Sequence, residues 1–457
     1  METWFPRVTV HSLVILVSIL IYILTTRVIG ERRPPSIAIA WVLGMVAVPY
    51  VALPMYLMFG RRKLPRKKHS PEFVRGHGRH WAEDLIQSFD LKEASDAAVQ
   101  LHQDGAESAA SLFETIQRAR FRLDVSTYIL GNDPFGLDAM RRMGRCVERG
   151  VAVRLLLDGV GAIQLPRKFF AELKSMGIQT QVFSPLLARR TQGPRNLRNH
   201  RKMVIADGER LWAGGRNIAA EYFIGVRGQP AWRDLSFDLE GPVAGDAAAQ
   251  FEADWVAAGG APAPAQPNAV PSTRAQSARL CRAQFLPSGP DQTEDTVHAL
   301  LIDACFHVRD RILAVTPYFV PDAGFETALR LAARRGVKID LVLPIKSNHV
   351  LAAFARNRAL RSLHKAGVAI HLVPFMNHAK AVVCDESLAI TGSVNLDSRS
   401  LLLNYESAVV LYGAAEIYWL AGWIEALKAR ATAFDARPPN VFRDICEGLL
   451  LTVAYQL

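Results

Sequence analysis

The chain has 457 residues, which is more than one ordinary hydrophobic core holds and predicts two or three domains. Its 50% hydrophobic content and mean hydropathy of +0.10 indicate membrane segments, and its formal charge of +11 suits an anionic partner or a solubilising surface. The five cysteines are scattered without a C-x-x-C pair, which excludes a disulfide framework and a cysteine-rich zinc site.

Two apolar stretches begin the chain, at residues 8–29 and 37–59. Each is long enough to cross a hydrocarbon layer of roughly 30 Å as a helix, so we predict a membrane anchor over residues 1–69 with two transmembrane helices. The first stretch is too long for the apolar part of a signal peptide, and no small-residue cleavage site follows it. Pro49 and Pro54 predict a kink in the second helix. The basic run at 61–68 should stay cytoplasmic, which predicts a multi-pass protein with its catalytic part in the cytoplasm.

Beyond about residue 100 the same order of elements occurs twice. Each half has a helical pattern followed by three strand-like stretches, which lie at 122–130, 148–161 and 175–183 and again at 311–320, 334–347 and 365–373. Strands separated by helical stretches predict crossover units, and therefore an α/β fold with a mixed, mostly parallel sheet in each half. The segment 257–276, rich in Pro and Ala, predicts a linker between a first half at 70–256 and a second half at 277–457.

One polar motif closes each half, at residues 200–217 and 378–395. The matched positions are separated by a constant 178 residues and are His200/His378, Lys202/Lys380, Asp207/Asp385, Gly214/Gly392 and Asn217/Asn395. A single H-x-K is a weak signal, but two full copies at one offset indicate a functional duplication.

Each copy of the motif groups side chains that suit a phosphate diester. Residues two apart on a strand share a face, so the histidine and the lysine of each copy point the same way. A glycine pair lets the backbone approach a ligand, and the asparagine adds an amide donor. No metal ligand set accompanies them, so we predict direct phosphate binding. The predicted phosphate-binding residues are Gly215, Asn217, Ser393 and Asn395.

Two histidines allow a diester to be exchanged in two half-reactions. One attacks phosphorus and becomes a phosphohistidine, while the other protonates the departing alkoxide and later deprotonates the incoming alcohol. This scheme needs one neutral and one protonated imidazole at rest, which neighbouring carboxylates can arrange. The symmetry of the motif alone does not order the two histidines.

Four carboxylates are candidates for a part in this chemistry. Asp234 and Glu406 follow the two motifs at comparable places, so we predict that they orient the histidines; an ordinary surface position is the alternative. Asp207 and Asp385 belong to the motif and are catalytic candidates together with His200, Lys202, His378 and Lys380. Asp207-Gly208 is equally suited to a tight hairpin turn, so a turn role for these two aspartates is as strong an interpretation as direct catalysis.

The duplicated pattern resembles the phospholipase D superfamily, whose mark is two copies of H-x-K-x4-D-x6-G-[GS]-x-N. Within it, the chain resembles the bacterial cardiolipin synthases along nearly its whole length, through segments such as 31–63, 155–162, 316–322 and 392–406. The resemblance implies two phospholipase D-like halves behind a membrane hairpin, in the inner membrane of a bacterial cell. It also implies transfer of a phosphatidyl group from one phosphatidylglycerol to another with release of glycerol, with His200 as nucleophile and His378 as acid.

The implied exchange replaces one ester by a similar one and therefore needs no nucleotide, and the chain has no G-x4-G-K-[ST] loop. We expect no cofactor and no metal. The expected partners are phosphatidylglycerol, other anionic phospholipids and the membrane, and we expect no nucleic acid. Two departures from the family stand out: Ala379 lies where many relatives carry serine, and the tail at 442–457 lacks their Pro-Leu-Leu ending.

Two rival functions remain open at this point. The motif chemistry equally suits a phospholipase D-type hydrolase, in which water replaces the lipid alcohol. A non-catalytic membrane protein could instead use its basic surface to bind anionic lipid or nucleic acid. Intact histidines in both copies count against a pure binder, which needs no acid–base pair.

Overall fold

A computed structural model describes residues 5–29, 35–60, 63, 80–185, 196–264, 279–440, 442–443 and 447. The helices are α1 (Phe5–Ile29), α2 (Pro35–Ala47), α3 (Pro49–Phe59), α4 (Trp81–Gln87), α5 (Gly105–Arg118), α6 (Pro134–Glu148), α7 (Arg167–Ser175), α8 (Ala220–Phe223), α9 (Pro242–Ala257), α10 (Thr296–His307), α11 (Ala323–Arg334), α12 (Val350–Lys365), α13 (Ser398–Leu402) and α14 (Ala414–Lys428).

The strands belong to one large sheet and one short two-stranded sheet. They are β1 (Ser95–His102), β2 (Arg122–Thr127), β3 (Ala152–Asp158), β4 (Gln179–Phe183), β5 (Met203–Ala206), β6 (Arg210–Gly214), β7 (Ser236–Glu240), β8 (Leu280–Ser288), β9 (Arg311–Val315), β10 (Phe319–Val320), β11 (Lys338–Pro344), β12 (Ala369–Val373), β13 (Ala381–Cys384), β14 (Leu388–Gly392), β15 (Leu396–Asp397), β16 (Glu406–Leu411) and β17 (Thr432–Ala433).

A single sheet of fifteen strands runs through both halves of the described chain, in the order β17-β12-β11-β9-β13-β14-β16-β8-β1-β7-β6-β5-β2-β3-β4. An α/β fold with a mixed sheet is confirmed, but the expectation of mostly parallel pairing is wrong. Within the fifteen-stranded sheet of the described residues, parallel pairing is confined to the strands joined by helical crossovers, β2-β3-β4 and β9-β11-β12. The separate two-stranded sheet, β10-β15, is parallel as well. Each motif instead forms an antiparallel hairpin, β5-β6 or β13-β14, and a further antiparallel strand follows each hairpin. Consecutive strands joined by a tight turn must pair this way, and the motif supplies such a turn.

The Gly-Val turns that begin the second strand of each half end the preceding helix. Gly150 follows α6 with a φ of +85°, and Gly336 follows α11 with a φ of +98°. Glycine is the residue that adopts this left-handed conformation without steric cost, and it commonly ends a helix in this way. The chain therefore reverses directly from each helix into the buried strand β3 or β11.

The two halves share one core and each has a second core of its own. The shared core holds the inner faces of strands from both halves together with the apolar residues of α9 and α14. The other two cores lie under α5 to α8 in the first half and under α10 to α12 in the second. The β1–β8 pair joins the halves in the sheet. Most of the predicted linker, residues 265–276, lies outside the described residues.

The N-terminal segment folds into three helices that pack on each other. Tyr22 and Tyr56 are buried there, and the hydroxyl groups of Thr25 and Tyr56 are 2.6 Å apart. In place of the kink predicted from Pro49 and Pro54, the structure has a break at Pro49: α2 ends at Ala47 and α3 begins at Pro49, and Pro54 lies inside α3. Among the described residues, none of the helices combines the length and the apolar character that crossing a membrane requires.

Lys63 connects this N-terminal segment to the catalytic body. Its ammonium donates to the carbonyl oxygens of Gly289, Gln292 and Glu294, at 3.0, 3.2 and 3.1 Å, and lies 2.8 Å from the carboxylate of Asp295. The loop that it contacts follows β8, whose last residue pairs with the first residue of β16. The loop after β8 that Lys63 contacts therefore lies next to the start of β16.

Candidate active site

The backbone of each motif histidine is held by the other half of the chain. The amide of His200 donates to the carbonyl of Tyr405 at 2.8 Å, and the amide of His378 donates to the carbonyl of Arg233 at 2.6 Å. Short parallel bridges accompany both contacts. The two H-x-K segments are therefore placed at the boundary between the halves, His200 beside the segment that precedes β16 and His378 beside the segment that precedes β7.

Each imidazole is paired with a carboxylate across the same boundary. Nδ1 of His200 lies 2.9 and 3.1 Å from the two carboxylate oxygens of Glu406, and Nδ1 of His378 lies 2.8 Å from Asp234. Both carboxylates are fully buried. A carboxylate at Nδ1 keeps the proton on that nitrogen and directs the lone pair of Nε2 toward a ligand. The structure brings the two predicted orienting residues to the histidines, and it does so crosswise.

A buried lysine accompanies each histidine. Lys202 donates to the carbonyl of His200 at 2.8 Å, and Lys380 donates in the same way to the carbonyl of His378. The Lys380 ammonium also lies close to the His378 ring, 2.8 and 3.1 Å from its two nitrogens. Burial lowers the pKa of Lys202 to about 7 and that of Lys380 to about 8. Both side chains thus change charge readily near neutral pH, and a bound anion would favour their ammonium forms.

Burial also determines the charge of the imidazoles. It lowers the pKa of His200 to about 4, against the opposing charge of Glu406. For His378, burial and then the Lys380 ammonium lower the pKa to about 3, against Asp234. Burial would raise the pKa of Asp234, but His378 and Lys380 hold it at about 2. Both imidazoles are therefore neutral at pH 7, whereas the sequence-based scheme had one of them protonated at rest.

These pKa values predict how stability responds to acid. An unfolded histidine has a pKa of about 6.5, so between about pH 6.5 and 4 the unfolded chain binds more protons than the folded one and stability falls as pH falls. Each pKa unit corresponds to about 1.4 kcal/mol, so the two histidines together account for a loss of several kcal/mol in the free energy of unfolding as the pH falls over this range. We expect the melting temperature in detergent to drop over this range. In a His200→Gln/His378→Gln variant the drop should be clearly smaller; an unchanged slope would contradict the assignment.

The structure does not place Asp207 and Asp385 in the site. Asp207 lies at the turn between β5 and β6, where its carboxylate accepts from three consecutive backbone amides, at 120, 121 and 122, each at 2.8 Å. Asp385 accepts from the amides at 309, 310 and 311, at 2.9, 3.0 and 2.7 Å. Both have positive φ, +55° and +49°. The turn interpretation fits these contacts, and the hairpin turn is at the other end of the strand from the histidine. The catalytic role of the two aspartates stays a prediction.

Replacing Asp385 by alanine should therefore affect stability more than chemistry. The variant loses an acceptor for three amides and puts alanine in a left-handed conformation, and together these should cost about 2 kcal/mol. Urea or thermal unfolding in detergent measures this loss, and activity per folded molecule should stay near that of the parent. The neighbouring Glu386→Ala is the matched control, because Glu386 is exposed; its effect should stay within about 0.5 kcal/mol. A folded but inactive Asp385→Ala protein would restore the catalytic interpretation.

The predicted phosphate-binding residues lie in two kinds of structural environment. The asparagines brace the loops of their own halves: Asn217 Nδ2 donates to the hydroxyl of Tyr222 at 2.7 Å, and Asn395 Nδ2 donates to that of Ser400 at 3.1 Å. Both asparagines are buried. The phosphate-binding prediction for these amides stays a prediction, since one donor of each is already used.

Gly215 and Ser393 occupy matching motif positions but differ in their surroundings: one is restricted sterically and the other forms a hydrogen bond. A Cβ at Gly215 would lie 2.2 Å from the Asp234 carboxylate, so no side chain fits there. In the second half the Ser393 hydroxyl donates to Glu406 at 2.5 Å and fixes that carboxylate. Gly215 and Ser393 thus lie against the orienting carboxylates, and the structure places neither in a contact that identifies it as a phosphate ligand.

Aromatic side chains around the histidines escaped the sequence analysis. The ring of Tyr128 lies 5.1 Å from that of His200, edge to face. Around His378 the rings of Tyr222, Trp232 and Tyr318 lie at 5.1, 5.7 and 6.2 Å. Tyr128 follows β2 and Tyr318 follows β9, one residue apart in the alignment of the repeats, so comparing the segments after the two strands for aromatic residues could have found them. They exclude water from the imidazoles, which accounts for the lowered pKa values.

Arg201, between His200 and Lys202, also escaped notice. It is fully buried, and its guanidinium contacts Asp254 at 2.5 Å and Asp291 at 3.0 Å while Nε donates to the carbonyl of Glu406 at 2.9 Å. It thereby connects α9 of the first half to the loop after β8 and to the backbone of Glu406, whose carboxylate contacts His200. The repeat concealed it, because the matching position in the second half is Ala379.

The chain is similar to known proteins over most of its length. The family model described as "Cardiolipin synthase, PLD-like domain" matches residues 112–255 and 301–428, and "Phospholipase_D-nuclease N-terminal" matches residues 14–61. Cardiolipin synthase 1 of Bacillus cereus is 30% identical over 419 residues, which cover 85% of this chain and 82% of that protein. Cardiolipin synthase A of Pseudomonas entomophila is 30% identical over 394 residues, 81% of each chain.

A solved structure supports the fold independently. The phosphatidylserine synthase of Haemophilus influenzae superposes with a TM-score of 0.63 at 13% identity, over 82% of this chain and 100% of that one. At this identity the likeness concerns the fold alone. The family model covers more than half of the chain, and the Bacillus relative matches most of its length. The chain therefore belongs to the cardiolipin synthase family of phospholipase D-like proteins.

Proposed function

We propose that this chain is a phosphatidyltransferase that converts two phosphatidylglycerol molecules into cardiolipin and glycerol through a phosphohistidine. The observation that carries the proposal is the pair of imidazole–carboxylate contacts, His200 with Glu406 and His378 with Asp234, each with its own buried lysine. Membership of the cardiolipin synthase family supports the choice of lipid substrates. Transfer between two similar esters requires no external energy source.

In the first half-reaction, Nε2 of His200 attacks phosphorus as the P–O bond to the headgroup glycerol breaks. The departing oxygen takes the proton from Nε2 of His378, and a phosphatidyl-histidine remains. In the second half-reaction a hydroxyl of another phosphatidylglycerol gives its proton to His378 and attacks phosphorus, and the P–N bond breaks. His200 returns neutral, and one ester has replaced another. The order of the two histidines follows the family resemblance.

The neutral resting imidazoles fit this scheme through the charge of the substrate. A nucleophilic His200 must be neutral, and its low pKa meets that need. The acid must carry a proton, and a phosphodiester anion placed beside His378 raises the pKa of that imidazole toward neutrality. The anion equally favours the ammonium forms of Lys202 and Lys380, which can then hold the non-bridging oxygens.

A reconstituted reaction with purified protein tests the proposal. Phosphatidylglycerol with a deuterated headgroup is supplied in mixed micelles without nucleotide, in water enriched in oxygen-18. We expect cardiolipin and one labelled glycerol per cardiolipin by mass spectrometry. Phosphatidic acid carrying oxygen-18 as the main product would identify a hydrolase instead, and absence of turnover would identify a lipid-binding protein. Phosphatidylethanolamine in the same assay tests it as an alternative donor.

We further propose that the N-terminal helices hold the protein in the bacterial inner membrane, with the catalytic part on the cytoplasmic side. Bulky apolar side chains point outward along these helices, including Leu13, Leu16, Leu20, Leu43 and Val51, each more than half exposed. Such a surface requires an apolar environment. The two-span topology over 8–29 and 37–59 is a prediction from the sequence. Cysteines introduced at both ends of the two predicted spans are labelled with a thiol reagent, in intact cells and in inverted vesicles, to test this topology. Labelling of Lys63→Cys from outside the cell would overturn the topology.

A further inference from the structure

A short hairpin stands directly over the His378 side of the site. Residues 224–231, here called the hairpin loop, connect Tyr222 to Trp232, and the rings of both residues face His378. Val226 and Gln229 exchange backbone hydrogen bonds at 3.2 and 3.0 Å. The two residues between them have positive φ, +53° at 227 and +74° at 228, as in a tight type I′ turn. The loop therefore has a defined shape and a fixed base on the site.

The hairpin loop exposes apolar and basic side chains together. Ile224 is 61% exposed and Val226 is 39% exposed, although both are bulky aliphatic residues in a segment of only eight residues. Arg227, at the tip, is exposed as well. A turn selected only for solubility would carry small polar residues at these positions.

A second segment with the same character is also connected to His378 through an aromatic residue. Residues 345–351, here called the β11 loop, comprise the connection after β11 and the first two residues of α12. They expose Ile345 by 42% and Leu351 by 55%, with the exposed Lys346 between them. The hydroxyl of Tyr318 donates to Asn348 in this loop at 2.5 Å, and the Tyr318 ring faces His378. The hairpin loop is thus connected to His378 through Tyr222 and Trp232, and the β11 loop through Tyr318.

We propose that the hairpin loop and the β11 loop form a contact surface for the headgroup layer of an anionic phospholipid bilayer. Their aliphatic side chains would enter the boundary of the acyl region, and Arg227 and Lys346 would lie among the phosphates. A surface that combines exposed aliphatic and cationic groups complements an anionic lipid layer in both respects. This contact orients the His378 side, where the leaving and the entering alcohol meet the acid, toward the lipid surface. The inference rests on the proposed function and adds the surface through which that site meets its substrate.

The kinetic test compares one reaction in two physical states of the substrate. The Ile224→Ser/Val226→Ser variant of the full chain is assayed with dihexanoyl phosphatidylglycerol below its micellar concentration, and with long-chain phosphatidylglycerol in proteoliposomes. We expect turnover in proteoliposomes to fall about tenfold or more, and the loss on the monomeric substrate to be several-fold smaller. Phe306→Ser is the matched control, because Phe306 is 52% exposed on α10 outside both loops; it should show no such difference. An equal loss on both substrates, or no loss on either, would overturn the inference.

A second readout is independent of turnover. The four cysteines at 146, 281, 305 and 384 are buried, so a Cys446→Ser background that carries Val226→Cys takes a polarity-sensitive dye at residue 226. We expect a blue shift when this protein is reconstituted in phosphatidylglycerol vesicles, a smaller shift in phosphatidylcholine, and none for a dye at Phe306→Cys. No shift at residue 226 would overturn the contact surface. If the unmodified chain makes no cardiolipin, the proposed function fails, while the dye still decides whether the loops meet the bilayer.

Discussion

Replacing either His200 or His378 by alanine is expected to lower turnover by a factor on the order of 10⁴ or more while the protein stays folded. Each imidazole makes a bond change that no neighbour can make in its place: one forms the P–N bond and the other transfers the proton. The removed side chains are neutral, and their loss leaves small cavities beside aromatic rings. Cardiolipin formation in micelles measures the effect, and the melting temperature monitors folding.

His364→Ala is the matched control for these variants, because His364 is exposed on α12, outside the site. It should retain nearly full activity. A folded His200→Ala or His378→Ala protein with more than a few per cent of the parent activity would contradict the two-histidine scheme.

A substrate with a better leaving group can order the two histidines. A phosphatidyl ester of p-nitrophenol releases an anion that needs no proton, so it bypasses the acid in the first half-reaction. With this substrate the His378→Ala variant should release one equivalent of nitrophenolate and accumulate a phosphoenzyme, whereas His200→Ala should release none. The opposite pattern would exchange the two roles.

The second large effect is expected from the orienting carboxylates. Asp234→Asn keeps the shape of the side chain, and its Oδ1 can still accept from the amide of Leu235, where the parent contact is 2.7 Å. The NH₂ group then faces Nδ1 of His378 and forces that nitrogen to accept, so the proton moves to Nε2. A wrong tautomer of this kind costs about 10⁴ in kcat in a related carboxylate–histidine pair. We expect a loss of about 10³ to 10⁴ for Asp234→Asn and for Glu406→Gln.

Double variants test the crosswise pairing of the carboxylates. Once His378 is absent, Asp234 has no imidazole to orient, so Asp234→Asn should add little to His378→Ala. Glu406→Gln should behave in the same way with His200→Ala. Glu386→Gln, on an exposed carboxylate of the β13–β14 turn, is the control and should change kcat by less than twofold. Coupling of Asp234 with His200 rather than His378 would contradict the structure.

The internal repeat of the sequence located the candidate site residues that the structure brings together. The constant offset between the motifs identified both histidines and both lysines, and Asp234 and Glu406 followed at comparable places. It could not tell which carboxylate serves which imidazole, because the pairing is made by the packing of one half against the other. The same limit concealed Arg201, whose partners lie 53 and 90 positions away in the chain.

The error in strand pairing has a local physical cause. The pattern of strands and helices overestimated parallel pairing, because the motif itself is a hairpin and adds antiparallel strands that no helix precedes. Asp207 and Asp385 share the motif with the predicted catalytic groups, and their three-amide contacts explain their position at the turn without any chemistry. The lowered pKa values of the imidazoles depend on aromatic neighbours from distant segments, and motif spacing carries no information about them.

The crosswise pairing has a consequence for control of the enzyme. Neither repeat contains a complete acid–base unit, because each imidazole is paired with a carboxylate of the other half. A small separation of the halves would remove both carboxylates from the imidazoles at once and change both tautomers. An inhibitor therefore need not compete with the lipid substrate. A molecule that binds at the boundary between the halves near Arg201 would disable the nucleophile and the proton donor together.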